Sequence, residues 1–213
     1  TRGTVQSPHL SAHSPRLTQD ELSLQMCKHH GIGLWRSSLF LLFLLVLSES
    51  VVRARVRADE GVWESVGARC GISSHSSANR FIQTELWAAW NVAPSQDLGR
   101  SWSLRFQFDS SAGWLSGRGA DSFVGAVGPV LEIGRERLPV SLRGGISPTL
   151  LSRDSFGNKD FGILFQLTSH LGVEIHVLPH VDIGYRFQHM SNAGLCLHNP
   201  GLNLHMFSLS YAF

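Results

Sequence analysis

From Asp59 to the C-terminus the chain alternates apolar and polar residues in short runs, broken by clusters of Gly, Pro, Ser, Asn and Asp. A period of two over runs of this length marks β-strands, and the breakers mark turns. The pattern predicts eight strands, at about 61–71, 79–91, 100–110, 121–134, 138–147, 160–177, 181–191 and 202–213. No long helical period interrupts them. The segments ISSHSSAN, SSAGWLSGRGA, SPTLLSRDSFGNKD and NAGLCLHNPG read as longer loops; of the connections between them, NVAPSQDLG is fairly long, whereas GRER and LPH are short turns. Longer and shorter connections roughly alternate, as in an up-and-down barrel whose long loops share one end.

The sixth run, FGILFQLTSHLGVEIHV, shows how such a barrel is oriented against its solvent. One row holds Phe161, Ile163, Phe165, Leu167, Ser169, Leu171, Val173, Ile175 and Val177; the other holds Gly162, Leu164, Gln166, Thr168, His170, Gly172, Glu174 and His176. A soluble barrel turns the apolar row inward, and an outer-membrane barrel turns it outward. Periodicity does not choose between them, so three other features are used. An export-like segment lies upstream, the polar row is rich in small residues that suit a narrow interior, and the last strand closes on Ser-Leu-Ser-Tyr-Ala-Phe, with a terminal aromatic. The expectation is an all-β, eight-stranded antiparallel up-and-down transmembrane β-barrel over residues 59–213, filled by side chains and not a pore. An exported, soluble, lipocalin-like barrel is the alternative.

Upstream, Met26 is followed by Lys28, Arg36 and the apolar run from Leu39 to Leu47, then by small residues. That order reads as a signal peptide over 26–58, with cleavage after Ala58 favoured over Ser50 or Ala54. The apolar run is short for a spanning helix, which needs about 20 residues; a retained membrane anchor is the competing reading. Residues 1–25 read as translated sequence ahead of the true start. Export places Cys70 and Cys196 in an oxidising compartment, where a disulfide is allowed. Both are expected near the outer rim, because the first and last strands of a closed barrel are neighbours.

Composition narrows the partners. The net charge is +2, only 16% of residues are charged, and Lys28 and Lys159 are the only lysines, so the basic stripe of a nucleic-acid binder is missing. The histidines from His170 to His205 do not converge on one point: His170 and His176 fall on the inward row, His189 and His205 on the outward row, and His180 and His198 in turns. A zinc site needs three or four ligands around one centre, so no metal is expected. Among Trp63, Trp87, Trp90, Trp102 and Trp114, several fall near predicted strand ends, where an interfacial aromatic girdle is expected, with a carbohydrate-binding platform as the alternative.

The candidate chemistry lies in GYRFQHMSNAGLCLHNPGLNLHMFSLSYAF, residues 184–213. The outward row of the seventh strand runs Val181, Ile183, Tyr185, Phe187, His189, Ser191, so a lipid-facing apolar row ends in a histidine and a serine. On the last strand Asn203 shares the outward row with His205, Phe207, Leu209, Tyr211 and Phe213. Polar groups on a lipid-facing wall are costly unless they lie at the interface or find partners. Taken alone, they can simply mark the top of the apolar band. A serine hydrolase needs a base for the hydroxyl proton, a group that fixes the imidazole, and donors for the oxyanion. Ser191 fits the hydroxyl, His189 the base and Asn203 the group that fixes the ring, and the amides around Asn192 and Gly194 fit the donors. Glu174 and Asp182 are poor third members, since both fall on the inward row.

HMSNAGLCLHNPGLN, residues 189–203, resembles the His-x-Ser-Asn-Ala-Gly segment of the lipid A 3-O-deacylase family, whose members are eight-stranded outer-membrane barrels with the active site on the outside wall. The likeness is most specific over 184–213 and looser over 59–213. It implies Ser191 as nucleophile, His189 as general base and Asn192 as an oxyanion contributor. It also implies lipid A of lipopolysaccharide as substrate, outer-membrane lipid as surroundings, and no cofactor. The chain departs from the family pattern at Asn203, where a glutamate would complete the triad. An asparagine can fix the imidazole tautomer, but it supplies no negative charge. The competing function is a non-enzymatic structural or partner-binding outer-membrane barrel. The sequence leaves a homodimer open.

Overall fold

The computed structural model describes residues 62–74, 80–135, 138–196 and 198–213. The expected signal peptide and upstream segment lie outside them. Eight long strands make up the fold: β1 (Trp63–Ser73), β2 (Phe81–Asn91), β3 (Trp102–Gly117), β4 (Ala120–Arg135), β5 (Val140–Leu151), β6 (Phe165–Leu178), β7 (Val181–Ser191) and β8 (Leu202–Ala212). Every neighbour in sequence pairs antiparallel, and β8 pairs with β1, from Ser65↔Ala212 to Ser73↔Leu204, so the sheet closes on itself. Closure removes the unpaired edges that would otherwise stand in lipid. Two short hairpin pieces are added, Gln96–Gly99 against the start of β3, and Ser155–Phe156 against Lys159–Asp160 in the β5–β6 loop.

The wall settles the inside-out question. On β6 Gln166, Thr168, Gly172 and Glu174 are buried, while Leu171, Val173, Ile175 and Val177 are exposed. The same alternation holds on β7 and β8, where Ile183, Tyr185, Phe187, Phe207, Leu209 and Tyr211 face out. An apolar outer wall around a polar interior belongs to a transmembrane barrel, not a lipocalin-like one.

The interior has two storeys. In the lower one Arg69 bridges Glu85 at 3.0 Å and Asp109 at 2.8 Å, and Arg143 bridges Asp109 at 3.0 Å and Glu174 at 2.8 Å. Arg186 also reaches Glu85 at 2.9 Å. Buried charges of both signs are thus paired, which is what the closed, water-poor lumen demands. The upper storey is apolar: Phe81, Leu115, Val124, Met190, Leu202, Leu204 and Met206 pack with Phe156 and Phe161 from the β5–β6 loop. Phe81, Phe156 and Phe161 meet edge to face at centroid distances of 5.4 to 6.3 Å. Side chains therefore plug the barrel.

Two expectations are corrected and one open point is answered. The segment SSAGWLSGRGA is not a long loop. β3 continues through it, with Trp114 outward and Leu115 inward, to a tight turn at Arg118 (φ 52°) and Gly119 (φ 75°). Positive φ at both central residues gives the primed hairpin turn that matches strand twist. Trp87 is not part of a girdle. It is 4% exposed inside the barrel, with the Arg69 guanidinium 3.9 Å from its ring centroid, whereas Trp63, Trp102 and Trp114 are exposed on the wall. Finally, Cys70 is a free, exposed thiol on the outward row of β1, while Cys196 is buried within the β7–β8 loop, so these two do not pair.

Candidate functional site

β7 and β8 are in register with His189 directly opposite Asn203. Both side chains fall on the outward row, at the end of the barrel where the β7–β8 loop begins. The His189 Nδ1 lies 2.6 Å from the Asn203 Oδ1. With that carbonyl oxygen as acceptor, Nδ1 carries the ring hydrogen and Nε2 is left with a lone pair. The pair therefore fixes the tautomer a general base requires.

Ser191 is two residues further along β7, on the same row and opposite Leu167 of β6. It is half-buried at the last position of the strand and has no hydrogen bond to the His189 ring. Catalytic contacts of this kind often tighten only around a bound substrate. The structure thus joins two of the three expected residues directly, and places the third on the same outer wall.

Asn192 and Gly194 are bonded within the loops at the barrel mouth. Parity turns the Asn192 side chain inward, where it is fully buried. Its Nδ2 donates to the carbonyls of Phe161 at 3.1 Å and His198 at 2.8 Å. Its backbone N–H donates to the Asn199 Oδ1 at 3.1 Å, and its own Oδ1 accepts the Gly194 N–H at 3.0 Å. All these donors are already satisfied inside the protein. In this geometry Asn192 pins the β7–β8 loop to the β5–β6 loop, and Ala193 (φ 54°) and Gly194 (φ 75°) turn the chain between them.

Two residues that the sequence pattern did not single out support the histidine. Gly201 sits against the His189 ring: a Cβ built on it would lie 3.0 Å from Cε1 and 3.6 Å from Nε2. Its φ of 55° also suits glycine best. The Gly201 carbonyl accepts a 2.6 Å hydrogen bond from Lys159 Nζ. Lys159 lies in the β5–β6 loop with its ammonium 5.3 Å from the Phe161 ring centroid. Burial, with help from the Arg118 charge, holds this lysine below its ordinary pKa. The plug residues, the lysine and Gly201 thus form one support behind the imidazole. Nothing in the one-dimensional pattern signals it, because it depends on a loop folding back over the barrel mouth.

The wall beneath the polar group is apolar. Phe187, Phe207, Leu209 and Ile183 are all exposed there. A carbonyl held at His189 and Ser191 would have its acyl chain lying along this surface, inside the leaflet.

A family model described as lipid A 3-O-deacylase (PagL) matches residues 82–212. The lipid A deacylase PagL of Bordetella bronchiseptica is 38% identical over 72 residues, which cover 34% of this chain and 40% of that protein. The alignment thus spans less than half the length of that curated relative. Among solved structures, that of the outer membrane enzyme PagL superposes with a TM-score of 0.60 at 20% identity, over 68% of this chain and 97% of that one, a likeness of fold. Neisserial surface protein A gives a TM-score of 0.44 at 17% identity, over 71% of this chain and 96% of that one.

Proposed function

The chain belongs to the lipid A 3-O-deacylase family, and from that premise we propose that it hydrolyses the ester-linked 3-O-acyl chain of lipid A in the outer membrane. The observation that carries the reading is the 2.6 Å contact of His189 with Asn203 on the lipid-facing wall, with Ser191 on the same row. The family's description names lipid A, a lipid, as what is deacylated. A base presented to lipid is what that substrate requires.

In the proposed reaction His189 Nε2 takes the Ser191 hydroxyl proton as Oγ attacks the ester carbonyl. The proton then passes to the departing sugar oxygen, and an acyl-Ser191 remains. Water, activated by the same nitrogen, releases the fatty acid. Asn203 holds the ring in its working tautomer but leaves the imidazolium without a counter-charge. Asn192 and Gly194 enter as the turn beside the nucleophile. Either amide becomes an oxyanion donor by giving up the bond it makes in the resting structure. The residues in question come from one wall of one barrel, so a homodimer is not needed for the chemistry. No cofactor enters, and residues 26–58 are taken as the export signal.

The test is direct. Purified barrel mixed with lipopolysaccharide is expected to release a 3-hydroxy fatty acid, and Ser191→Ala is expected to abolish that release. A folded wild-type protein that releases none would favour a structural or partner-binding barrel instead.

A further inference from the structure

A second hydroxyl–imidazole pair stands on the same outer wall, beside the first. Ser74, directly after β1, has its Oγ 3.0 Å from the His205 Nε2. The other ring nitrogen, Nδ1, lies 2.7 Å from the Tyr185 hydroxyl. Ser74 is exposed, and Tyr185 faces outward among the apolar residues of β7. The backbone N–H of Ser74 donates to the Asn203 carbonyl at 3.3 Å, which ties the two polar groups to one patch.

The His205 ring is held on several sides. It stacks on Tyr185 at a centroid distance of 6.1 Å and an interplanar angle of 22°. Phe187 meets it edge-on at 5.4 Å. With Nδ1 donating to the Tyr185 oxygen, Nε2 accepts the Ser74 hydroxyl hydrogen. Nucleophile, base and orienting group are therefore connected in the order that serine acyl transfer uses. Here the serine–histidine hydrogen bond is already formed, as it is not between Ser191 and His189. A lipid-facing wall offers no reason to collect three polar side chains below the rim unless they satisfy one another or meet a polar part of a ligand.

We propose that Ser74, His205 and Tyr185 form a second acyl-ester site, which takes an ester of a membrane lipid presented from the leaflet. Ser74 Oγ bonds to the carbonyl carbon as its proton moves to His205 Nε2. The carbon–oxygen bond of the ester breaks, and that proton passes to the departing alkoxide. Water then hydrolyses acyl-Ser74, restoring the hydroxyl and releasing the acid. Tyr185 is a positioning residue, since it touches the ring and not the ester. The inference stands on its own hydrogen bonds and shares with the deacylase reading only the lipid-facing location.

A fluorophosphonate probe tests it, because an activated serine displaces the fluoride and keeps the phosphonyl group. The folded barrel in detergent micelles is treated, digested and mapped by mass spectrometry. Folding of each variant is checked by its heat-dependent electrophoretic mobility. Label is expected on the Ser74 peptide of Ser191→Ala, lost in Ser191→Ala/His205→Gln and weakened in Ser191→Ala/Tyr185→Phe. Label confined to Ser191, with none on the Ser191→Ala variant, overturns the second site and leaves the deacylase reading intact. Label on Ser74 alone supports the second site and overturns the role given to Ser191. Ser74 labelling that survives His205→Gln overturns the part given to His205, and absence of label from both serines overturns both readings.

Discussion

Replacing Asn203 by Asp asks how much the missing charge matters. The two side chains have the same shape, so the carboxylate oxygen falls where Oδ1 now sits, 2.6 Å from His189 Nδ1. That contact puts the centres of the carboxylate and the imidazolium about 4 Å apart, where a pair of unit charges gains about 4 kcal/mol at an effective dielectric of 20 and about 1 kcal/mol in bulk water. His189 is exposed and Asn203 half-buried at the outer rim, so the effect should fall between those limits. The imidazolium forms as Ser191 loses its proton, so the gain appears mainly in the transition state and therefore in kcat. A gain of about 1.4 to 2.8 kcal/mol corresponds to a roughly ten- to hundredfold faster turnover.

The companion variant Asn203→Ala removes the orienting bond without adding charge. A neutral hydrogen bond of this kind contributes about 0.5 to 1.5 kcal/mol, so turnover should fall roughly two- to thirteenfold. The assay is the rate of 3-hydroxy fatty acid release from lipopolysaccharide in detergent, at saturating and limiting substrate. The expected order is Asp above Asn above Ala, with KM little changed. Asp at or below the native Asn, or Ala equal to it, would refute the assignment of Asn203 as the group that orients His189.

Two further outcomes follow from the same geometry. Gly201→Ala places a methyl group 3.0 Å from His189 Cε1 at a backbone φ of 55°, so it should cost about 1 to 3 kcal/mol of strain and displace the ring; deacylation should fall while the barrel still folds by electrophoretic mobility. Arg143→Met removes the arginine paired with buried Glu174 and one of the two paired with Asp109, and should lower unfolding stability in urea by about 3 to 5 kcal/mol, leaving the rate of any barrel that remains folded unchanged.

The residue alternation determined a great deal of this protein by itself. A period of two decides which side chains share a face, so the two rows of β6 and the common row of His189, Ser191 and Asn203 were legible without coordinates, while the choice of the apolar row as the outer one drew on the export-like segment, the small inward residues and the terminal aromatic as well. Once the apolar row is taken to face lipid, only a closed barrel remains, because lipid tolerates no unpaired strand edge. Where composition was allowed to override alternation, the reading failed: the Ser and Gly of SSAGWLSG hid the outer half of β3, and Trp87 was grouped with the wall tryptophans although its position on β2 turns it inward.

Other features depended on contacts between segments far apart in the chain. Inward-facing Asn192 is engaged by the Phe161, His198 and Asn199 groups because the β5–β6 and β7–β8 loops fold over the barrel mouth together. Lys159 reaches Gly201 behind His189 for the same reason. The Ser74–His205–Tyr185 chain spans β1, β8 and β7, and forms because closure brings the first strand beside the last. Alternation within a strand is a local property of the pleat, and the sequence carries it alone. Which residues meet across strands and loops depends on register, turn length and loop packing, and those were decided only by the tertiary structure.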